Sequence, residues 1–286
     1  MSRRIRGVIM KYVVTGANGY IGRFIVKSLL DKGQEVVAVD VKFDDRDHRA
    51  EYVCTSIFDA DDNIYEKLGS PDVCIHMAWR NGFVHNEMSH IVDLSGHVGF
   101  LKRMVDSGIK RVTVMGSMHE VGYWEGAIDE NTPTNPKSLY GIAKNSLRQI
   151  LNVITEGKDV CVQWIRGYYI LGDDLKNHSI FTKLLEAERD GKEKFPFTSG
   201  KNKSDFISVQ DLAMQIVAVA MQDEVDGIIN CCTGTPISLA ERVEMFIKEN
   251  GLKIKLEYGA FPDRPYDSPG VWGDPKKINM ILNKKC

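Results

Sequence analysis

The sequence predicts an α/β fold built around one doubly wound parallel sheet, and three observations carry that prediction. Short β-rich runs alternate with longer helical patterns through the first half of the chain. Those β runs are almost continuously apolar, as suits strands buried on both faces. A glycine-rich turn joins the first of them to the first helical pattern.

Lys11 to Thr15 reads as the first strand, and a helix follows from Tyr20 to Asp31, ending near Gly33. Glu35 to Asp40 is the second strand, and Tyr52 to Cys54 the third. Further strands are expected at Asp72 to Met77, Arg111 to Met115 and Val160 to Ile165, with helices near 87–107 and 138–156 between them. Repeated β–α alternation implies right-handed crossovers. The second half is less regular. Helices are expected at Ile180 to Arg189, Val209 to Met221 and Leu239 to Glu249, and strands at Ile228 to Cys232 and Lys253 to Glu257. Proline and glycine gather between Phe261 and Pro275, which predicts loop.

Composition narrows the function. The 286 residues carry 37 Lys+Arg against 39 Asp+Glu, a net charge of -2, which lacks the basic footprint of a nucleic-acid binder. At 43% hydrophobic and 27% charged residues the chain reads as a folded soluble protein. No apolar stretch is long enough to span a bilayer, so no membrane partner is expected. Arg3, Arg4 and Arg6 precede an apolar run that stops at Lys11, too short for a signal peptide, and residues 1–10 read as an extension. Cys54, Cys74, Cys161, Cys231, Cys232 and Cys286 form no CxxC pair and no metal-ligand spacing. A reducing, cytoplasmic setting and no metal are therefore expected.

The turn after the first strand is Thr15-Gly16-Ala17-Asn18-Gly19-Tyr20-Ile21-Gly22. Gly16 permits a tight turn, Gly19 lets backbone approach a pyrophosphate, and Gly22 allows close helix–strand packing. The helix that follows offers free N–H groups and the positive end of its dipole. Asp40 closes the second strand about 20 residues further on, completing a Rossmann dinucleotide fingerprint. A carboxylate there accepts from ribose hydroxyls and repels a 2′-phosphate, so NAD(H) is favoured. Lys42 and Arg46 stand close enough to serve a phosphate, which keeps NADP(H) as the alternative, and a turn or capping role competes for Asp40. On this reading residues 11–172 form the dinucleotide-binding domain. Residues 173–286 are mainly a small substrate-binding subdomain, with 206–232 returning to the large sheet.

Tyr140-Gly141-Ile142-Ala143-Lys144 opens a predicted helix. Its i, i+4 spacing puts a phenol and an ammonium one turn apart on one face. A neighbouring cation favours phenolate, so the Tyr140 pKa is expected to fall. Taken alone such a pair is commonly a solvated helix face; after a dinucleotide fingerprint it reads as proton-transfer machinery.

With these residues in place the chain resembles the extended short-chain dehydrogenases/reductases, the NAD-dependent epimerase/dehydratase group that acts on nucleotide sugars. The resemblance rests on the glycine turn, on His76-Met77-Ala78-Trp79, and on Tyr140 with Lys144. It extends through Arg166-Gly167-Tyr168-Tyr169-Ile170-Leu171-Gly172, Ser204 to Ala213, and Arg264-Pro265. The family implies Tyr140 as general acid/base, with Lys144 tuning it and holding the nicotinamide ribose. It places Gly16, Asn18, Gly19, Tyr20, Ile21, Gly22, Met77, Ala78 and Trp79 along the cofactor, and Ser56 and Ile57 at the adenine. Arg264 is the matching cation for the substrate diphosphate, where a guanidinium fork suits phosphate oxygens; a salt bridge to Asp263 or Asp267 competes. Ser179 and His178 lie near that diphosphate segment, although His178 also reads as a solvated loop residue. Tyr168 and Trp79 are aromatics expected near the ligand, able to stack on it or simply to close the subdomain interface. A homodimer through the helices near 87–107 and 138–156 is implied as well.

The pattern breaks at Gly116-Ser117-Met118-His119-Glu120. Relatives place a catalytic Ser or Thr where Met118 stands, and a thioether cannot donate a hydrogen bond. Ser117 is the nearest substitute. Dehydratases resembling this segment carry Asp-Glu where this chain has His119-Glu120. His119 offers a proton near neutral pH and Glu120 a base, or else His119 orients substrate and Glu120 anchors the loop. An intact Tyr140–Lys144 pair beside an incomplete dehydratase set predicts reduction of a nucleotide 4-keto-6-deoxy sugar; an epimerase with tightly held NAD is the second reading.

Overall fold

The computed structural model describes residues 9–172, 179–262 and 268–284. In chain order the first half contains β1 (Lys11–Thr15), α1 (Gly22–Asp31), β2 (Glu35–Asp40), β3 (Glu51–Cys54), α2 (Ile64–Lys67), β4 (Val73–His76), α3 (Ser89–Val92) and α4 (Leu94–Asp106). Then come β5 (Arg111–Met115), β6 (Gly126–Ile128), α5 (Leu139–Thr155), β7 (Cys161–Gly167), β8 (Tyr169–Leu171), α6 (Ile180–Arg189) and β9 (Lys194–Pro196). The remainder is β10 (Lys203–Ser208), α7 (Val209–Ala220), β11 (Gly227–Cys231), β12 (Pro236–Ser238), α8 (Leu239–Glu249), β13 (Lys255–Glu257), β14 (Gly270–Gly273) and α9 (Lys276–Asn283).

Seven strands form the large sheet in the order β11-β7-β5-β4-β1-β2-β3, every pair parallel. Alternation within each strand sends side chains to two separate cores. Tyr12, Val14, Val36, Ala38, Val73 and Ile75 pack with α1, α7 and α9 through Ile25, Leu29, Leu212, Ile216 and Ile278. Val13, Val37, Val39, Cys74, Val112 and Val114 pack on the other face with Phe100, Leu101 and Met104 of α4 and Leu147 and Leu151 of α5. Burying each such side chain contributes about 1.5–3 kcal/mol, which explains the continuous apolar runs of these strands. Strand order reverses between β1 and β4, and the crevice beyond their carboxyl ends is where open α/β sheets take ligands.

A smaller sheet, β12-β10-β14-β6 with β8 on β10, covers that crevice. Its strands come from widely separated parts of the chain. A single residue, Tyr168, separates β7 of the large sheet from β8 of the smaller one. The buried Asp205 carboxylate accepts from the backbone N–H groups of Thr233 and Gly234, both at 2.9 Å, tying β10 to the segment that leaves β11.

Several expectations need correction. Residues 206–208 do not return to the large sheet: Phe206 lies opposite Tyr169 in the smaller one, while α7 and β11 do pack on the large sheet. The helix predicted near 87–107 is two helices parted at Asp93. Its carboxylate is drawn to Arg80 by a bidentate pair. Within the predicted loop of 261–275, Gly270–Gly273 forms β14, held by backbone pairing to β10 and β6. Among the described residues no helix is long and apolar enough to cross a membrane, no cluster of metal-ligating side chains occurs, and the five cysteines are free.

Candidate active site

The glycine turn is shaped by sterics. Gly16 has φ +66°, and a Cβ there would lie 2.7 Å from the Ala78 nitrogen at the end of β4. A Cβ on Gly22 would strike the Gly16 carbonyl oxygen. The turn therefore runs flush against both β4 and α1. Asp40 anchors it from β2: its Oδ2 accepts from the Asn18 N–H at 2.9 Å and its Oδ1 from Val41 N–H at 2.8 Å. The Asn18 side chain turns away from the cavity to the Asp44 backbone, 3.2 Å off. Arg46 lies over the rings of Phe43 and Tyr52.

Beyond the turn opens a cavity of about 870 Å³. Gly16, Gly19, Tyr20, Ile21, Gly22, Asp40, Ser56, Ile57, Met77, Ala78 and Trp79 line one end of it. Ser117, His119, Tyr140, Lys144, Tyr168 and Ser179 line the rest, with Phe181, Phe206 and Leu239 contributed by the subdomain. A dinucleotide fits this site on structural grounds: the loop has no Cβ where main chains meet, N–H groups stand at the start of α1, and a carboxylate waits at the end of β2. His178 and Arg264 lie outside the described residues.

Helix α5 presents the proton-transfer pair. Ser138 caps it, accepting from Gly141 N–H at 3.1 Å, and the Tyr140 N–H donates to the His85 carbonyl at 2.9 Å. Lys144 Nζ donates to the Met115 carbonyl at 2.7 Å and lies 3.7 Å from the centre of the Trp79 ring. Burial pushes the Lys144 amine down to about 7 and the Tyr140 phenol up to about 12, with hydrogen bonding to Ser117 pulling the phenol back. The expected lowering of Tyr140 by its lysine is thus not met. Burial dominates at the phenol and the Glu120 carboxylate adds to it, while Lys144 Nζ is engaged by Met115 and Trp79.

The His119-Glu120 pair separates. Glu120 is fully buried and absent from the cavity wall. Its Oε1 accepts from Ser117 N–H at 2.7 Å and Trp164 Nε1 at 2.8 Å, while Arg166 and Arg148 approach Oε2 at 3.6 and 3.7 Å. Glu120 therefore anchors the loop and is no base for substrate. Desolvation, with His85 adding to it, holds His119 down to about 4, so it is neutral at pH 7 and no acid there. Met118, expected at the substrate, packs into a small core with Val121, Ile128 and Val271 and does not line the cavity. Ser117 reaches the cavity, where its Oγ accepts from His119 N–H at 3.2 Å. The Tyr168 hydroxyl donates to Asn230 Oδ1 at 3.1 Å, and Ser179 caps α6.

Two side chains at the site, His85 and His97, had no sequence signal. His85 stacks on Tyr140 with ring centres 5.4 Å apart and meets His119 at 4.3 Å. His97 stacks under Trp79 at 4.4 Å and joins the His76 ring at 3.0 Å, which in turn meets Thr15 Oγ1 at 2.9 Å. These histidines come from a loop, a short helical turn, a helix and a strand end, so no spacing in the sequence relates them.

A parallel sheet with a glycine cradle at its reversal point, and a tyrosine–lysine pair facing it, defines a dinucleotide-dependent enzyme of the short-chain dehydrogenase/reductase type. The sequence pattern of the NAD dependent epimerase/dehydratase family matches residues 12–232, and the chain belongs to that family. It is 44% identical over 271 residues, 92% of this chain and 99% of the relative, to dTDP-6-deoxy-L-talose 4-dehydrogenase (NAD(+)) of Aggregatibacter actinomycetemcomitans. Among solved structures it is similar to MoeE5 in complex with UDP-glucuronic acid and NAD, with TM-score 0.81 and 23% identity over 95% of this chain and 92% of that one. UDP-glucose 4-epimerase of Thermotoga maritima superposes with TM-score 0.78 at 21% identity, over 95% and 92% of the two chains.

Proposed function

We propose that this protein is an NAD(H)-dependent oxidoreductase acting at C4 of a nucleotide-activated 6-deoxy sugar, and that it reduces the 4-keto form. The observation that carries the reading is the Tyr140–Ser117 pair facing the cavity while Glu120 is withdrawn from it. The site keeps the groups for carbonyl reduction and lacks the acid and base for elimination. The relative at 44% identity, named for oxidation of a 6-deoxy-talose at C4, supports the same carbon.

In this reading the N–H groups of the Gly16–Gly22 turn hold the pyrophosphate, Asp40 the adenine ribose, and Ser56 and Ile57 the adenine. Lys144 holds the nicotinamide ribose. The bound nicotinamide supplies the hydride for the carbonyl carbon. Tyr140 donates its proton to the carbonyl oxygen; held at about 12, the phenol is fully protonated at neutral pH and ready to do so. Ser117 donates a hydrogen bond to the same oxygen and stabilises the charge that develops there. The subdomain side chains Phe181, Phe206 and Leu239 exclude water from above.

The test is to mix the protein with NADH or NADPH and dTDP-, GDP- or UDP-linked 4-keto-6-deoxy sugars, following loss of reduced-nicotinamide absorbance. Stoichiometric oxidation of NADH with one sugar is expected. An altered sugar with no net oxidation would move the assignment to an epimerase. A homodimer through α3, α4 and α5 belongs to the same reading, supported by the exposed Val92, Ile142 and Val153 there, and light scattering checks it. A cytoplasmic setting fits the free cysteines.

A further inference from the structure

His85 and His119 pack against each other beside Tyr140. Both line the cavity, and both rings are largely buried by the loops that carry them. Their ring centres are 4.3 Å apart, and each ring lies within 6.0 Å of the Tyr140 ring centre. Neither imidazole makes a hydrogen bond to any described residue; only the backbone groups of the two residues are engaged. The other buried histidines behave differently. His76, His90 and His97 spend ring nitrogens on Thr15, Val84, Trp79 and one another.

A neutral imidazole carries one donor and one acceptor. With no protein partner at the wall of a mostly apolar cavity, these donors and acceptors are available to a ligand held there. An acidic proton donor is not what they offer, since burial keeps both neutral. Their complement is an uncharged group that both donates and accepts, which is a hydroxyl. Position selects which one. With the reacting oxygen held at Tyr140, whose ring centre lies 5.4 and 6.0 Å from those of His85 and His119, the hydroxyl on the adjoining carbon is the sugar group that these rings are placed to meet.

We infer that His85 and His119 together recognise the sugar hydroxyl on the carbon next to the reacting carbonyl, the C3 hydroxyl of a 4-keto-6-deoxy sugar. This rests on the proposed reaction and deepens it: the pair is a specificity determinant and takes no proton in the chemical step. A site built to hydrogen-bond a hydroxyl rejects the analogue lacking it by about 10⁴-fold or more, and a partly exposed one by less.

The experiment compares kcat/KM for dTDP-6-deoxy-L-talose and its 3-deoxy counterpart with NAD, in the wild type and in His119→Phe, His85→Phe and His119→Gln. Wild type is expected to favour the 3-hydroxy sugar at least 100-fold. Either phenylalanine variant is expected to lose most of that preference, chiefly through KM. The glutamine variant, which restores a donor and an acceptor, is expected to regain part of it. Binding of NADH and a thermal melt verify that each variant is folded. Equal use of both sugars by the wild type, or an undiminished preference in folded phenylalanine variants, overturns this assignment alone. Absence of turnover of either sugar and of every 4-keto-6-deoxy sugar nucleotide in the reduction assay, with NADH still bound, overturns the proposed reaction and this assignment with it.

Discussion

Replacing Lys144 by methionine should make the cofactor-free protein more stable at low pH and less stable at high pH. Burial holds the native amine near pH 7 against an ordinary 10.5. Below pH 7 the native state carries a buried ammonium, and the gap corresponds to about 5 kcal/mol at 1.36 kcal/mol per pH unit. Between pH 7 and 10.5 the unfolded chain binds more protons than the native one, so wild-type stability rises with pH through that window. Methionine has no such proton. It also leaves the Met115 carbonyl without its 2.7 Å donor, a loss of about 1–3 kcal/mol at every pH. Lys144→Met should thus be about 2–4 kcal/mol more stable than wild type at pH 6, and the two should cross between about pH 8.5 and 10. Urea unfolding of both proteins at unit pH steps measures this directly. Parallel stability profiles would refute the reasoning, because they would mean that the buried lysine titrates as it does in water. Turnover should be lost in the variant throughout, so that the residue is unfavourable for folding where it serves function.

Four further outcomes are expected. Tyr140→Phe should lower kcat by at least about 10²-fold while NADH affinity stays within a few-fold, measured by steady-state kinetics and fluorescence titration. Gly22→Ala, whose methyl group would collide with the Gly16 carbonyl, should abolish NADH binding or destabilise the fold by several kcal/mol, which calorimetry distinguishes. Asp40→Ala should erode the preference for NADH over NADPH at least about 10-fold in kcat/KM, read from the paired cofactors. Acid should unfold the protein early. His97 and His119 are held down to about 3 and 4, so as pH falls from 6.5 to 4 the unfolded state takes up protons that the native state refuses. Each removes about 1.4 kcal/mol per pH unit over that range, and a denaturation series from pH 7 to 4 gives the slope.

The large sheet was legible because local pattern and global burial agree there. Val13, Val37 and Val112 face one core and Val14, Val36 and Ile75 the other, so apolar continuity reports strands without tertiary knowledge. The glycine turn, Asp40 and the Tyr140–Lys144 pair were legible because their spacing is itself the geometry. The smaller sheet was not. β6, β8 and β12 are three residues long, shorter than any periodicity, and hold together through partners far away in the chain. The placement of Met118 was unreadable, and that of Glu120 stayed open between base and loop anchor, for another reason. A three-residue helical turn capped by Ser117 rotates one into a core and the other onto Trp164, and nothing in neighbouring sequence reports that rotation. Tyr140 shows the limit of charge reasoning from spacing, since the ammonium one turn away was already engaged.

The interleaving of the smaller sheet has a consequence for how such an enzyme can change. β6 is drawn from the stretch between β5 and α5, β8 from the three residues that follow Tyr168 just past the end of β7, and β14 from just before the last helix. No single cut releases this sheet, so it cannot be exchanged as a cassette between enzymes. New sugar preferences in this architecture must be reached by individual substitutions along its wall, each tested against a framework that stays covalently threaded through the cofactor-binding half.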